Sequence, residues 1–167
     1  ELHLGRFHLN QELLTLLTAH CRNLVHIHFT SCAVHSDSLV RFISGFSTYS
    51  TGTVSAHRGV GGGAGGTTTA ASCNQLRSIG LVNNTSINMT QVAMCIASNC
   101  VQLTVLTLVG EYDSIHALHT EQVILIASHC TMLQSIDISQ NNHITNDAVV
   151  SISEHCKQLK TLATNAC

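Results

Sequence analysis

Charge is the scarcest property of this sequence. Lysine, arginine, aspartate and glutamate together make up 10% of its 167 residues, and aromatic residues only 4%. With a mean hydropathy of +0.25, the surface is unusually poor in charge for a freely soluble protein, and much of it is expected to lie under neighbouring chains. Seven basic residues against nine acidic ones leave a formal charge of -2, and no basic run occurs. That argues against nucleic-acid binding through phosphate neutralisation. Proline and tryptophan are absent, and no apolar run approaches the roughly 20 residues that span a bilayer. No membrane partner is therefore expected. Neither a signal peptide nor an initiating methionine is present, so Glu1 reads as the start of an excerpt from a longer protein.

Apolar residues, by contrast, make up 44% of the chain. That is enough for one sizeable core and not for two, so residues 1–167 are expected to form a single domain. Eight cysteines are present, but secreted disulfide scaffolds are usually short and their cysteines closer together.

The stretch "AHCRNLVHIHF" at 19–29 raises a sharper possibility, because His20, Cys21, His26 and His28 look like half of a zinc site. Internal repetition gives the answer. The string recurs as "CNQLRSIGL" at 73, "CVQLTVLTL" at 100, "CTMLQSIDI" at 130 and "CKQLKTLAT" at 156. Successive cysteines (Cys21, Cys73, Cys100, Cys130, Cys156) lie 52, 27, 30 and 26 residues apart. Within each unit the period changes. Leu24, Ile27 and Phe29, like Leu103, Leu106 and Leu108, alternate as in a buried strand. A six-residue window with apolar ends follows: "LNQELL", "VHSDSL", "INMTQV", "LHTEQV" or "ITNDAV". Its Asn, Ser, Thr and Asp residues are helix N-cap formers. Helical spacing then takes over, as in Leu14, Leu17 and Cys21, or Val149, Ile152 and Cys156. One strand and one helix make one unit.

These residues resemble the cysteine-containing leucine-rich repeat, a subtype found in F-box proteins. Its pattern C-x-x-L-x-x-L-x-L-x-x-[NC]-x-x-I-T-D-x-x-L runs over almost the whole chain, and "ISQNNHITNDAVVSISEHC" is the nearest copy. The resemblance implies an α/β fold: a right-handed solenoid with a parallel sheet on its concave side and helices on its convex side, each repeat stabilised by its neighbours. It also implies that Cys21 and its equivalents are small buried hydrophobes. His20, His129 and His155 then stand at helix ends, near the negative pole of the dipole.

The family's Asn or Cys, eight residues after the first strand leucine, is Cys32, Asn84, Asn141 and Cys167 here. A buried Asn there is expected to satisfy loop backbone groups that have no other partner. Glu111 takes that place in the 30-residue repeat, so the loop "GEYDSIHAL" is expected to bulge and to alter its ladder step. The Gly-, Ser- and Thr-rich segment 47–72 departs furthest, and its composition disfavours a helix. It is either an insertion or a decayed repeat, with Phe46 replacing the cysteine and Tyr49, Gly52 and Val54 the strand apolars. The 27 residues from Phe46 to Cys73 favour the decayed repeat. The Gly run at 59–66 reads as a loop without the Gly-Lys-Ser/Thr of a phosphate site.

Strand alternation sends the residues between the apolar ones to the concave face. The candidate partner-binding set is His26, His28, Ser78, Val105, Thr107, Ser135, Asp137 and Thr161, joined by Gly80 and Ala163. With Leu2 and Leu4 in register, His3 stands beside His28, about 4.8 Å away. Three imidazoles on one face suit zinc, but no carboxylate orients them and no metal is assigned. Asp137 beside Ser135 is not a triad, and no catalytic residue or cofactor is assigned. Asn83, Asn84 and Asn88 open N-x-[ST] sequons, read as incidental because the resemblance implies an intracellular protein, cytoplasmic or cytoskeletal, whose thiols suit a reducing compartment. The expected role is protein binding, as a subunit of a hetero-complex such as an axonemal assembly. The alternative is the substrate-recognition arm of an F-box ubiquitin ligase, although no F-box is present in these residues.

Overall fold

The computed structural model describes residues 1–21, 23–48, 75–84, 86–110 and 117–167. Along them run β1 (Leu2–Gly5), β2 (His8–Leu9), α1 (Gln11–His20), β3 (His26–Thr30), β4 (Ala33–Val34), α2 (Ser36–Thr48) and β5 (Ser78–Val82). There follow α3 (Met89–Asn99), β6 (Val105–Val109), α4 (Thr120–His129), β7 (Ser135–Asp137), α5 (Asn146–His155) and β8 (Thr161–Ala163). A six-stranded sheet has the order β1-β3-β5-β6-β7-β8, and β2 pairs with β4 beside it. All these pairings are parallel. Parallel neighbours need a crossover connection, and the helices pack in the same succession, α1 on α2 through α4 on α5. The chain is thus of the mixed α/β class.

The C-x-x-L string is the joint between helix and strand. Cys21, Cys100, Cys130 and Cys156 are the C-caps of α1, α3, α4 and α5. Each donates its N–H to the carbonyl four residues back at 2.7 to 2.9 Å, and its own carbonyl accepts from the leucine three residues on at 2.9 to 3.2 Å. This turn ends the helix and brings the leucine into the core, satisfying groups that a helix end leaves free. The thiols are buried at Cys100, Cys130 and Cys156, and half-buried at Cys21. Cys130 Sγ donates to Cys100 O at 3.5 Å, and Cys156 Sγ contacts Cys130 O at 3.9 Å. Each thiol therefore leans on the helix end before it.

A second set of residues closes the other end of each strand. Arg6, Ser31, Asn83 and Gln140 adopt left-handed backbone with φ between 50° and 62°. Their N–H groups donate forward to Thr30, Val82, Val109 and Asn165 carbonyls at 2.8 to 3.0 Å. One residue further along lies the Asn/Cys position. Asn84 Nδ2 donates to Phe29 O and Asn141 Nδ2 to Leu108 O, both at 2.8 Å. Cys32 Sγ donates to Leu4 O at 3.4 Å and Cys167 Sγ to Ile138 O at 3.1 Å. Phe29 aligns with Leu4 in the register, so asparagine and cysteine serve equivalent carbonyls of the preceding unit. The asparagines also accept, from Cys32 N–H at 2.8 Å and Leu118 N–H at 3.3 Å. Asn therefore satisfies loop backbone as the sequence predicts, and Gly110 makes room for it: a Cβ there would stand 2.6 Å from Asn141 Oδ1.

The capping windows are realised in two ways. Asn10 and Asn88 cap their helices directly, accepting from Leu13 N–H at 2.9 Å and Gln91 N–H at 3.2 Å. Elsewhere the neighbouring residues act. His119 N–H donates to Gln122 Oε1 at 2.9 Å, and Thr145 N–H to Thr120 Oγ1 of the previous helix at 2.8 Å. Ser36 Oγ receives Asn88 N–H in the same manner, at 2.6 Å. These hydroxyls tie one unit to the next.

The favoured decayed repeat is corrected by the strand pairing. β3 and β5 are direct neighbours, from His26↔Ser78 to Thr30↔Val82. A repeat in register between them would set them about 9.6 Å apart, two strand spacings. The 52-residue interval between Cys21 and Cys73 is therefore one ladder step. A matching residue count does not determine which strands pair. Tyr49, Gly52, Val54, the Gly run at 59–66, Cys73 and Glu111 lie outside the described residues. β6–β7 and β7–β8 each hold three register pairs where β5–β6 holds five, as the three-residue length of β7 requires.

One apolar core joins all the units, from Leu9 to Cys156, with Phe29, Leu39, Ile79, Ile96 and Leu103 at 0% exposure. Truncating such a residue to alanine costs roughly 2–5 kcal/mol.

Candidate functional site

The core occupies one face of the sheet, and among the described residues no helix packs on the opposite, open face. Alternation sends Ile27, Phe29, Ile79, Leu106, Leu108 and Ile136 inward, so the residues between them line the open face. Register arranges them in rows. The first runs His26, Ser78, Val105, Ser135, Thr161, and the second His3, His28, Gly80, Thr107, Asp137, Ala163. All eight candidate binding residues fall in these two rows. His26, His28, Ser78, Val105, Thr107, Ser135 and Asp137 are half-buried and Thr161 is exposed.

A third row escaped the sequence reading. Thr30, Val82 and Val109 align and are half-buried. Carrying the period-two alternation two residues further along each strand would have found them. Val82 and Val109 stand side by side in that row, and Val105 lies on the same face four residues before Val109, with Thr107 between them.

The polar groups near the C-terminal end are bonded to one another. Thr161 Oγ1 donates to Ser135 Oγ at 2.7 Å, and Asp137 Oδ1 accepts Ser139 N–H at 3.0 Å. The hydroxyl of Ser135 and the carboxylate of Asp137 thus serve neighbours in a structural role.

The N-terminal end is imidazole. His3 and His28 pair in register and their rings stack, with centroids 5.5 Å apart and planes inclined by 20°. The His28 ring lies where a Cβ on Gly80 would be, which buries Gly80 and shelters the imidazole. Partial burial lowers the His28 pKa, and the nearby His3 lowers it further. Both effects disfavour the imidazolium.

Among the described residues, no three His, Cys, Asp or Glu side chains gather as a metal-ligand set. The opening "AHCRNLVHIHF" divides instead: Cys21 caps α1, whereas His26 and His28 line the open face. Burial raises the thiol pKa at Cys100, Cys156 and Cys95, and that of Cys130 to about 12. Thiols held protonated in this way are poor nucleophiles. Helix-end histidines cap carbonyls: His129 Nδ1 lies 2.9 Å from Leu125 O, and His155 Nδ1 2.9 Å from Ser151 O. In α3, Asn99 Nδ2 does the same to Cys95 O at 2.8 Å. Of the sequon residues, Asn84 is bonded at both ends of its amide and Asn88 caps α3.

The helices present scattered exposed apolar residues outward, among them Leu16, Met94, Ile124 and Val150. No helix among the described residues is long and apolar enough to cross a membrane. No known family model matches this sequence, and no curated protein is found to be similar to it.

Proposed function

We propose that the chain is part of a cysteine-containing leucine-rich repeat protein that binds other proteins on the concave face of a right-handed solenoid. Three features support the fold assignment: parallel strands in sequence order, cysteines at the helix-to-strand joints, and the Asn/Cys position reaching back to each preceding unit. The observation that carries the function is the open sheet face. Its rows combine small hydroxylated side chains with Val82, Val105 and Val109, a surface that a partner's backbone can approach closely. A face with valines on its middle strands and few charges has the composition that protein interfaces concentrate in their cores.

The low charge of the whole chain favours a scaffolding subunit of a larger intracellular assembly, such as an axonemal complex, over a receptor that presents a charged convex surface to solvent. Replacing Val105 and Thr107 with glutamate puts two unpaired charges on the middle of the open face without touching the core. Affinity purification of the full-length protein from its own cells is expected to recover assembly subunits in fixed ratio, and the double variant to lose them. Retained partners would move the interface to the convex side. Recovery of a cullin and its adaptor would replace the scaffold with a ubiquitin-ligase arm.

A further inference from the structure

One end of the open face differs chemically from the rest. His3 and His28 stack across the first ladder step, and His26 lies two residues earlier on the same strand as His28. The groups facing the pair are few. β1 brings His3, the carboxylate of Glu1 stands two residues before His3 and so on the same side of the chain, and β3 brings His26. β5 brings only Ser78 and Gly80, which carry no charge. Asp137, the carboxylate elsewhere in these rows, is three strands from His28, or ~14 Å. Three basic rings thus share a corner whose β5 side carries no charge, with the His28 ring lying over Gly80 and His3 exposed at the edge.

Resting on the concave-face reading above, we propose that the His3–His28 pair receives a carboxylate from an acidic segment of the bound protein, and that docking takes up a proton from solvent. A carboxylate beside the two rings accepts a hydrogen bond from each and favours imidazolium over imidazole. In the free protein, burial first and the neighbouring His3 second hold His28 below its ordinary value and disfavour its imidazolium. The bound carboxylate reverses that balance. Affinity therefore rises as pH falls through the bound-state pKa, and levels off once pH is below the free-state value. The partner segment carries Asp or Glu at this end, followed by small or apolar residues along Val82, Val105 and Val109.

The test is selection of random peptides displayed on phage against the chain at about pH 6, with binding then measured at about pH 6 and about pH 7.5. The expected peptides are enriched in Asp and Glu and bind about three- to fivefold tighter at the lower pH, within the tenfold limit that a one-unit pKa shift sets. The His3→Asn/His28→Gln double variant is expected to lose that pH response, and the exposed His3→Asn alone to weaken it should the double variant fail to fold. Peptides lost with Val105→Glu/Thr107→Glu but not enriched in acids, or with a pH response indifferent to the histidines, would overturn the proton-linked docking and leave the concave-face reading standing. Peptides indifferent to all of these variants would overturn both.

Discussion

Asn141 offers the sharpest test of how the units are joined. Its side chain is fully buried, at 0% exposure. Nδ2 donates to Leu108 O and Ile138 O at 2.8 Å and to Ser139 O at 3.1 Å, and Oδ1 accepts from Leu118 N–H at 3.3 Å. Two of those carbonyls keep another donor when the amide is removed: Ser139 O has Gly110 N–H at 3.3 Å, and Ile138 O has Cys167 Sγ at 3.1 Å. The loss therefore falls mainly on Leu108 O and Leu118 N–H. At about 1–3 kcal/mol for each buried group left without its partner, Asn141→Ala is expected to destabilise the chain by about 3 kcal/mol. Asn141→Cys is expected to cost less, about 2 kcal/mol, because a thiol keeps one weak bond to the preceding unit, as Cys32 does with Leu4 O. Gly110→Ala pushes a methyl toward Asn141 Oδ1, so its cost is expected to shrink in an Asn141→Ala background, a coupling that a double-mutant cycle reads directly. Urea unfolding followed by circular dichroism supplies these values from midpoint shifts at unchanged slope. A loss under about 0.5 kcal/mol for Asn141→Ala, the range of an ordinary surface change, would refute the joint described here.

Three further outcomes follow from the same structure. Burial raises the Cys130 pKa from 9.0 to about 12, so its share of stability is full below pH 9 and is lost as pH rises toward 12. The urea midpoint should fall across that window, and fall less in Cys130→Ala; an identical alkaline profile in both would contradict the assignment. In native protein at neutral pH, iodoacetamide should label the half-buried Cys21 before the buried Cys100 and Cys130, with peptide mass spectrometry as the readout and equal labelling as the contrary result. Gly80→Ala should expel the His28 ring, at a cost of about 1–3 kcal/mol for the overpacked site. By NMR, His28 should then titrate closer to its ordinary value of 6.5, because burial is the larger cause of its depression; an unchanged midpoint would rule out this packing.

Much of this architecture is legible in the sequence because it is written in local spacing. The C-x-x-L turn, the Asn/Cys position and the inward strand residues each recur at fixed offsets within a unit; the C-x-x-L hydrogen bonds are local, and the Asn/Cys position repeats even though its bonds reach the preceding unit. The His3–His28 neighbourhood also follows, since it needs only that Leu2 and Leu4 stay in register with Ile27 and Phe29. What failed was long-range. The interval between Cys21 and Cys73 fits one ladder step or two by length alone, and only the pairing of His26–Thr30 with Ser78–Val82 decides it. The capping windows show a subtler limit. Asn10 and Asn88 cap as composition suggests, but Thr145 N–H is held by Thr120 of the previous unit, a partner that no local window contains. Likewise, Gly80 reads as a small strand residue, while its reason for being glycine is the His28 ring across the ladder.

The central claim is that the open sheet face, not the helical face, holds the partner. Photo-crosslinking within the full-length protein in its own cells tests it most directly, with a photoreactive phenylalanine analogue placed either at Thr107 on the sheet or at Ile124 on α4. Crosslinks from Thr107 to a partner recovered in fixed ratio, with none from Ile124, are the predicted result. Crosslinks from Ile124 alone would contradict the claim and assign the interface to the helices.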